Sequence, residues 1–345
     1  MKKLFIILIL VFLLCFTGIL IAQENLQIYF LDVGQGDASV IISSSGYVVM
    51  IDSGPDEHLI LNYLKNLNIS RIDLLISSHV HSDHITGMDK VIAQYKPKAS
   101  IDPGIPHTTQ AYERMIAAIE KYNVSYYEGI SRKINLGSIT FTILPPANPF
   151  IDESDLNNNS TVVRLDFKDF SCLFAGDIEK TREGQLLAES RSNLNVDILK
   201  VAHHGSSSSS SPLFIKSVKP EMAVICCGEG NQYGHPHQET LTLLQSLGIN
   251  IYRTDQNGNI LIETNGTDYQ IFTEKGSVRA PPVVKTETKT IETQEYKYAA
   301  SKNSDVFHYF SCSYVATITP KNLIRFKTRE EAIASGRRPC KKCKP

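Results

Sequence analysis

The chain has 345 residues, 42% of them hydrophobic, which is typical of a globular protein and favours one large and one small domain. Its seven cysteines are odd in number and irregularly spaced, which argues against a disulfide framework. The net charge of −1 divides into +7 for residues 299–345, which hold ten Lys/Arg and three Asp/Glu, and −8 for the remainder.

The amino terminus has the pattern of a secretory signal or a membrane anchor. Lys2 and Lys3 precede an uncharged apolar run of 19 residues, 4–22, which is long for a signal core and just sufficient to span a bilayer. The two lysines favour a cytoplasmic amino terminus. We therefore predict export, with residues 1–23 acting as a cleaved signal peptide or as an anchor in the cytoplasmic membrane. The body would be secreted or held at the outer face of that membrane.

Two strands are predicted next, each followed by acidic residues. Residues 26–31 alternate like a strand and lead into Asp32-Val-Gly-Gln35-Gly-Asp37-Ala, where two glycines permit a tight turn. Residues 47–51 form a second predicted strand, which ends at Asp52.

The next predicted strand delivers the strongest chemical signal in the chain. Residues 72–76 form a short apolar run, and His79-Val-His81-Ser-Asp83-His84 follows it. His79 and His81 are two residues apart and point the same way in an extended loop. Imidazole and carboxylate groups at this density suit two adjacent metal ions, with zinc as the natural occupant.

Polar groups also follow the later strands. Predicted strands cover residues 139–144, 171–175, 196–202 and 221–227. The groups after them are an asparagine run at 157–159, then Asp177, His203-His204, and His235-Pro-His at the start of a helix to about residue 247. Six serines, 206–211, predict a flexible loop. Asn257-Gly258 predicts a hairpin turn between the last strands.

The carboxyl-terminal tail shows a second metal pattern. Residues 276–298 have the composition of a linker. His308-x3-Cys312 and Cys340-x2-Cys343 supply two pairs of ligands for one structural zinc ion, which would provide folding energy to a domain of residues 299–345. The excess of Lys and Arg predicts nucleic acid as the partner of this domain. No protein partner is indicated.

Together these motifs resemble the metallo-β-lactamase fold superfamily, and within it the hydrolase domain of the ComEC/Rec2 competence proteins. The resemblance rests on HxHxDH, FLDVGQGDA, the strand ending in Asp177, HHG and GHP. It implies an α/β fold for residues 24–275, an αββα four-layer sandwich of two mixed sheets. A small zinc-stabilised domain resembling the Ada DNA-repair protein would follow, with His308 in place of the usual cysteine.

The resemblance also implies roles for individual residues. The ligands of one or two zinc ions, or of manganese in their place, would be His79, His81, Asp83, His84, Asp177 and His203, with His203 favoured over His204. Asp52 would hold the histidine loop, Asp83 would orient the nucleophile, and His235 would assist the leaving group or hold phosphate. The residues expected to line the site are Asp32, Gln35, Asp37, Asn159 and His204. Asparagines stand where the superfamily has a further histidine ligand, so one metal ion would be held weakly or through water.

Three functions remain open at this stage. The first is an exported phosphodiesterase or nuclease that uses a metal-bound hydroxide. The second is a metallo-hydrolase of a small lactam, lactone or thioester. The third is a non-catalytic DNA-binding surface protein, which is disfavoured because the six ligands named above are all present.

Overall fold

The computed structural model describes residues 24–152, 155–275, 297–309, 312, 314, 315, 318 and 322–345. The chain divides into two compact units, Met1–Val284 and Lys285–Pro345. The predicted signal or anchor, residues 1–23, and most of the predicted linker lie outside the described residues. None of the helices within these ranges has the length and apolarity needed to cross a membrane.

The larger unit is built around two mixed β-sheets. The strands of the first sheet are β1 (Leu26–Phe30), β2 (Ala38–Ser43), β3 (Val48–Ser53), β4 (Leu74–Ile76), β5 (Ala99–Asp102), β6 (Ser125–Glu128), β14 (Ile260–Thr264) and β15 (Tyr269–Thr273). The strands of the second are β7 (Arg132–Leu136), β8 (Ile139–Leu144), β9 (Val162–Phe167), β10 (Phe170–Phe174), β11 (Ile198–Lys200), β12 (Met222–Ile225) and β13 (Asn250–Arg253).

Each sheet is antiparallel in one half and parallel in the other. The first has the order β15-β14-β1-β2-β3-β4-β5-β6, and the second the order β13-β12-β11-β10-β9-β8-β7. Strands β3 to β6 are parallel, as are β10 to β13. The polar loops described above follow the carboxyl ends of these parallel strands, where α/β folds place their sites.

Helices cover the outer face of each sheet, so the unit has four layers. They are α1 (Glu57–Asn66), α2 (Ser82–Ile85), α3 (Met88–Tyr95), α4 (Gln110–Lys121), α5 (Lys180–Glu189), α6 (Pro212–Val218), α7 (Gln238–Ser246) and α8 (Thr254–Asn257). Helices α1, α3 and α4 bury Ile60, Val91 and Met115 against the first sheet. Helices α5 and α6 bury Leu186 and Phe214 against the second.

The inner faces of the sheets form the main core because apolar residues recur at alternate positions of most strands. Phe30 of β1 and Phe174 of β10 are stacked across the interface, with ring centroids 5.7 Å apart. The four-layer αββα sandwich predicted from sequence is therefore confirmed.

The predicted hairpin at Asn257-Gly258 is wrong. Strands β13 and β14, on either side of it, belong to different sheets. Gly258 adopts a positive φ of 65° and ends the short helix α8, which carries the chain from one sheet to the other. The turn between β14 and β15 lies further on, at residues 265–268.

The smaller unit has its own sheet and core. Its strands β16 (Tyr298–Ser301), β17 (Val306–Tyr309), β18 (Leu323–Phe326) and β19 (Arg338–Pro339) have the order β18-β16-β17-β19. Helix α9 (Arg329–Ala334) begins with a capping box formed by Thr328 and Glu331. Its Ala332 packs with Ala300, Phe307 and Phe326 in a small core.

Candidate metal centre

The loop after β4 is held rigidly by the end of β3. The Asp52 carboxylate accepts hydrogen bonds from the backbone N–H and the hydroxyl of Ser78, both at 2.7 Å. The loop also lies against Gly36, where an added Cβ would come within 2.2 Å of the Asp83 carbonyl oxygen. Glycine is therefore required there for the Asp37 N–H to donate to that carbonyl, at 3.2 Å.

Ligands from the two sheets meet around Asp177. The His79, His81, Asp83 and His84 side chains follow β4 of the first sheet, whereas Asp177 and His204 follow β10 and β11 of the second. Asp177 Oδ2 lies 3.3 Å from both His84 Nε2 and His204 Nε2, and 3.9 Å from His79 Nε2. His79 Nε2 and His81 Nδ1 are 2.9 Å apart. Ligand atoms of Asp83, His84, Asp177 and His204 all lie within 4.8 Å of one another.

The hydrogen bonds behind the histidines suit metal binding. His84 Nδ1 is 3.0 Å from Asp52 Oδ2, and His204 Nδ1 is 2.9 Å from the Cys226 carbonyl oxygen. In the neutral form of each ring these acceptors favour a proton on Nδ1, which leaves the Nε2 lone pair facing the cluster. Among the described residues, His84 Nε2, His204 Nε2 and Asp177 Oδ1 are buried without a hydrogen-bond partner. A divalent cation would satisfy all three atoms.

The titratable groups of the cluster shift one another strongly. Burial alone would lower the pKa of His84 and His204, but Asp177 and a second carboxylate at each ring raise it well above the ordinary value. Burial would raise the pKa of Asp177, but the same two imidazoles hold it well below its usual range. Burial and the neighbouring His84 lower the pKa of His79. Ligation by His84 and His204 therefore requires the displacement of protons.

The structure places His204, not the favoured His203, in the cluster. His203 has a positive φ of 49° and its Nδ1 lies 3.3 Å from both Glu179 Oε1 and Ser208 Oγ. His203 instead lines the pocket beside the metal ligands. The paired histidines are adjacent in sequence, so only the backbone conformation decides which one turns inward.

The pocket above the cluster has a volume of about 270 Å³ and includes the predicted Gln35 and His235. His235 lies three residues before α7, not at its first turn. Its burial, together with His204 and His203, lowers the pKa of His235 to about 4, so the imidazole is neutral near pH 7. Tyr233 stacks on His235 and also lines the pocket.

Two residues predicted to line the site lie elsewhere. The Asn159 amide donates to the carbonyls of residues 152 and 155, which fixes its own loop, and Asn157 lines the pocket instead. Asp32 pairs with Lys275 at 3.1 Å, outside the cluster. In a run of three asparagines, sequence alone does not distinguish the one that faces the pocket.

Asp37 lies behind the metal ligands with a partner that the sequence reasoning missed. Its Oδ1 is 3.4 Å from His204 Nδ1 and its Oδ2 contacts the Lys200 ammonium. Lys200 is only 2% exposed. The sequence feature that could have revealed Lys200 is a charged side chain inside the apolar run of β11.

The smaller unit brings most of its predicted zinc ligands together. Ligand atoms of His308, Cys312 and Cys343 lie within 4.8 Å of one another. The Lys342 N–H donates to Cys340 Sγ at 3.4 Å, and backbone N–H groups of residues 343 and 342 lower the pKa of Cys340. Such N–H donors stabilise thiolates at metal sites.

The fold and the site define a metallo-hydrolase. Residues 31–229 match the Metallo-beta-lactamase superfamily, and the chain belongs to that family. Among its relatives, "ComE operon protein 3" of Bacillus subtilis is 29% identical over 255 residues, or 68% of this chain and 32% of that protein. "Recombination protein 2" of Haemophilus influenzae is 29% identical over 262 residues, or 73% of this chain and 31% of that protein. The chain spans about a third of the length of these relatives.

A solved structure with a similar fold is the metallo-β-lactamase fold protein YhfI from Bacillus subtilis. It is 13% identical, covers 70% of this chain and all (100%) of its own, and superposes with a TM-score of 0.47. The family match and the two relatives, independently of this structure, make the chain a metallo-β-lactamase-fold hydrolase related to "ComE operon protein 3" and "Recombination protein 2".

Proposed function

We propose that this protein is a metal-dependent phosphodiesterase that cleaves nucleic acid outside the cytoplasmic membrane. The observation that carries the proposal is the convergence of three imidazoles on Asp177 Oδ2, with the Nε2 atoms of His79, His84 and His204 at 3.9, 3.3 and 3.3 Å. A carboxylate in this position can hold two divalent ions at the spacing that suits a phosphoryl group.

The ligand set fits zinc or manganese, held by His79, His81, Asp83, His84, Asp177 and His204. When bound, the ions supply an activated water and positive charge for the phosphoryl oxygens. Asp83 is partly exposed at the pocket and its Oδ2 lies 3.3 Å from His204 Nε2, where the carboxylate can orient a water molecule. His235, neutral near pH 7, can hold a phosphate oxygen through a hydrogen bond. A pKa of about 4 argues against the proton-donor role that sequence suggested.

The smaller unit supports nucleic acid as the substrate. Lys341 and Lys342 lie between the proposed zinc ligands Cys340 and Cys343. The ring of Tyr314, which is 51% exposed, stacks on the ligand His308 at 4.9 Å. Cationic and aromatic groups on one metal-supported scaffold suit phosphates and bases. The relative named "Recombination protein 2" points the same way.

The proposed location rests on Lys2, Lys3 and the apolar run after them. Protease added to intact cells should digest the body of the protein. Full protection, under conditions where lysis restores digestion, would argue for a cytoplasmic location.

The activity can be tested with three substrates side by side: single-stranded DNA, bis-p-nitrophenyl phosphate and nitrocefin. We expect hydrolysis of the two phosphodiesters, its loss in His81→Ala, and its retention in His107→Ala. His107 is the matched control because it is hydrogen-bonded to Thr109 in a loop outside the cluster. Turnover of nitrocefin alone would favour the small-substrate alternative, and unchanged turnover in His81→Ala would reject the assigned centre.

The tail can be tested in the full chain by changing Lys341 and Lys342 together to Gln. Each lost phosphate contact should reduce the slope of log K against log salt by about 0.7 for single-stranded DNA. A Lys302→Gln variant serves as the control, since Lys302 lies in the turn after β16. Equal salt slopes for the wild type, the double variant and the control would show that Lys341 and Lys342 do not contact the DNA.

A further inference from the structure

Lys200 and Asp37 form a buried ion pair behind the metal centre. Lys200 is 2% exposed and Asp37 is 4% exposed. The ammonium contacts Asp37 Oδ2, lies 3.4 Å from the Gly176 carbonyl oxygen, and lies 3.8 Å from Asp177 Oδ1. It thus touches the Asp37 carboxylate behind the histidines and approaches the Asp177 carboxylate on which they converge.

Three buried carboxylates lie near this ammonium, and their negative charges would be unbalanced without it. Asp37, Asp52 and Asp177 are all at least 96% buried and surround His84, with their nearest oxygens 3.8, 3.0 and 3.3 Å from its ring nitrogens. Buried carboxylates repel one another in a medium of low dielectric constant, and each is costly to bury without a positive partner. Such a cluster is unfavourable unless cations accompany it.

Other positive charges at this place are conditional. The Nε2 atoms of His84 and His204 lie 3.3 Å from Asp177 Oδ2, in position to ligate a metal ion, and an imidazole that ligates is neutral. The Lys200 ammonium contacts Asp37 and lies 3.8 Å from Asp177 Oδ1, and it is not itself a metal ligand. Lys200 is therefore the cation of the centre that ligation does not neutralise.

We propose that Lys200 is the fixed countercharge of the metal centre, which keeps the three buried carboxylates assembled when no metal ion is bound. In this role Lys200 is a positioning residue that acts through Asp37 and Asp177. Metal ions, once bound, would add positive charge of their own and take over part of this role. The inference rests on the proposed metal centre.

The test compares the free energy of unfolding of the full chain with and without saturating Mn²⁺. Manganese is the probe because the cysteine-rich cluster of the tail disfavours it. Lys200→Met should lower stability most in EDTA, and Mn²⁺ should recover much of the loss because the ions replace the missing charge. By linkage, Lys200→Met should bind Mn²⁺ about tenfold more tightly than the wild type. Lys200→Arg keeps the charge and should show a smaller metal-dependent difference.

Arg182→Met is the matched control. Arg182 is also 2% exposed, but it bonds to Pro145, Gln185 and Glu189, away from the cluster. Its loss should lower stability equally with and without Mn²⁺. A second variant, Asp37→Asn with Lys200→Met, removes both members of the pair and should regain stability in EDTA.

Each outcome decides the proposal. Equal losses for Lys200→Met with and without Mn²⁺ would make Lys200 a packing residue and overturn it. Failure of Lys200→Met to fold even in Mn²⁺, while the double variant folds, would also overturn it, since added cations would not replace the ammonium. If the wild type bound neither Mn²⁺ nor Zn²⁺ in the larger unit, the proposed metal centre itself would be wrong.

Discussion

The Asp52 carboxylate supports His84 from behind, with Oδ2 at 3.0 Å from Nδ1 of the imidazole. The same oxygen accepts the Ser78 hydroxyl, and the other oxygen accepts the Ser78 N–H. One side chain therefore fixes both the ligand loop and the ring that turns toward the cluster. Metal affinity should depend on this residue although it does not face the cluster.

Asp52→Asn tests this dependence. The amide NH₂ group cannot accept the Nδ1 proton of His84, so we expect metal affinity to fall about 10- to 100-fold. Asparagine tolerates the positive φ of 57° at this position, so the fold should persist. Titration with Mn²⁺ and circular dichroism measure the two properties. Asp102→Asn is the control, because Asp102 is 1% exposed and bonds only to Tyr126 and Gly104 among the described residues.

Exchange of the two adjacent histidines for alanine should have unequal effects. His204→Ala removes a ring nitrogen 3.3 Å from Asp177 and should lower the bound metal and abolish hydrolysis. His203→Ala should retain the metal content of the wild type, because its Nδ1 faces Glu179 and Ser208. Metal analysis of the purified variants measures the difference. The reverse pattern would restore the ligand set expected from sequence.

The stability of the larger unit should depend on pH through Asp73. Burial alone would raise the pKa of Asp73, but the Lys98 ammonium at 2.6 Å and the Val48 N–H at 3.0 Å lower it. A lowered pKa in the folded state stabilises the protein above the unfolded value of about 3.9, and this benefit is lost as the pH falls through the folded value.

Asp73→Asn should therefore lower the free energy of unfolding by about 1 kcal/mol near neutral pH. The deficit should shrink as the pH falls below the unfolded value of about 3.9 and through the lower folded value, because the wild-type carboxyl then becomes protonated as well. Urea denaturation in EDTA at several pH values follows the difference without interference from the metal centre. A deficit that stayed constant over this range would show that charge is irrelevant at this position.

Loss of zinc from the tail should unfold the smaller unit without harming the larger one. Cys343→Ser removes a thiolate from the cluster with His308 and Cys312 and should lower the zinc content by one ion per chain. The Cys172→Ala variant should keep that zinc, because Cys172 lies buried in the core between the two sheets. Hydrolysis of bis-p-nitrophenyl phosphate should continue in both variants. If Cys343→Ser keeps its zinc, the tail is stabilised by packing alone.

Sequence predicted the fold and the ligand loop well because both are local signals. Strand β8 was predicted with its observed bounds, and His79 and His81 meet as their spacing implies. The choices that failed depend on tertiary structure. His203 and His204 differ only in how an unusual backbone turns them, and the Asn257-Gly258 turn ends a helix instead of joining two strands.

The roles of Lys200 and of the serine run at residues 206–211 also depend on tertiary contacts that the sequence does not reveal. A lysine within an apolar strand has no visible partner until the strand is packed, and its partner Asp37 lies 163 residues away. The serines predicted to be flexible are fixed by Glu183, which accepts from the Ser210 and Ser211 N–H groups, and Ser209 is 3% exposed. Serine composition alone predicted a flexible loop, because the buried Glu183 carboxylate that fixes it lies on a helix elsewhere in the sequence.

Because both sheets contribute metal ligands, neither half of the chain should form the metal centre by itself. Ile130 is 56% exposed and lies between β6 and β7, where the chain passes from one sheet to the other. A cut there would leave the HxHxDH loop on one fragment and Asp177 with His204 on the other. Neither fragment alone could assemble the centre. Because β14 and β15 of the first sheet would stay on the second fragment, recovery of hydrolysis on mixing would serve as a complementation assay for the pairing of β1 with β14 together with the docking of the two sheets.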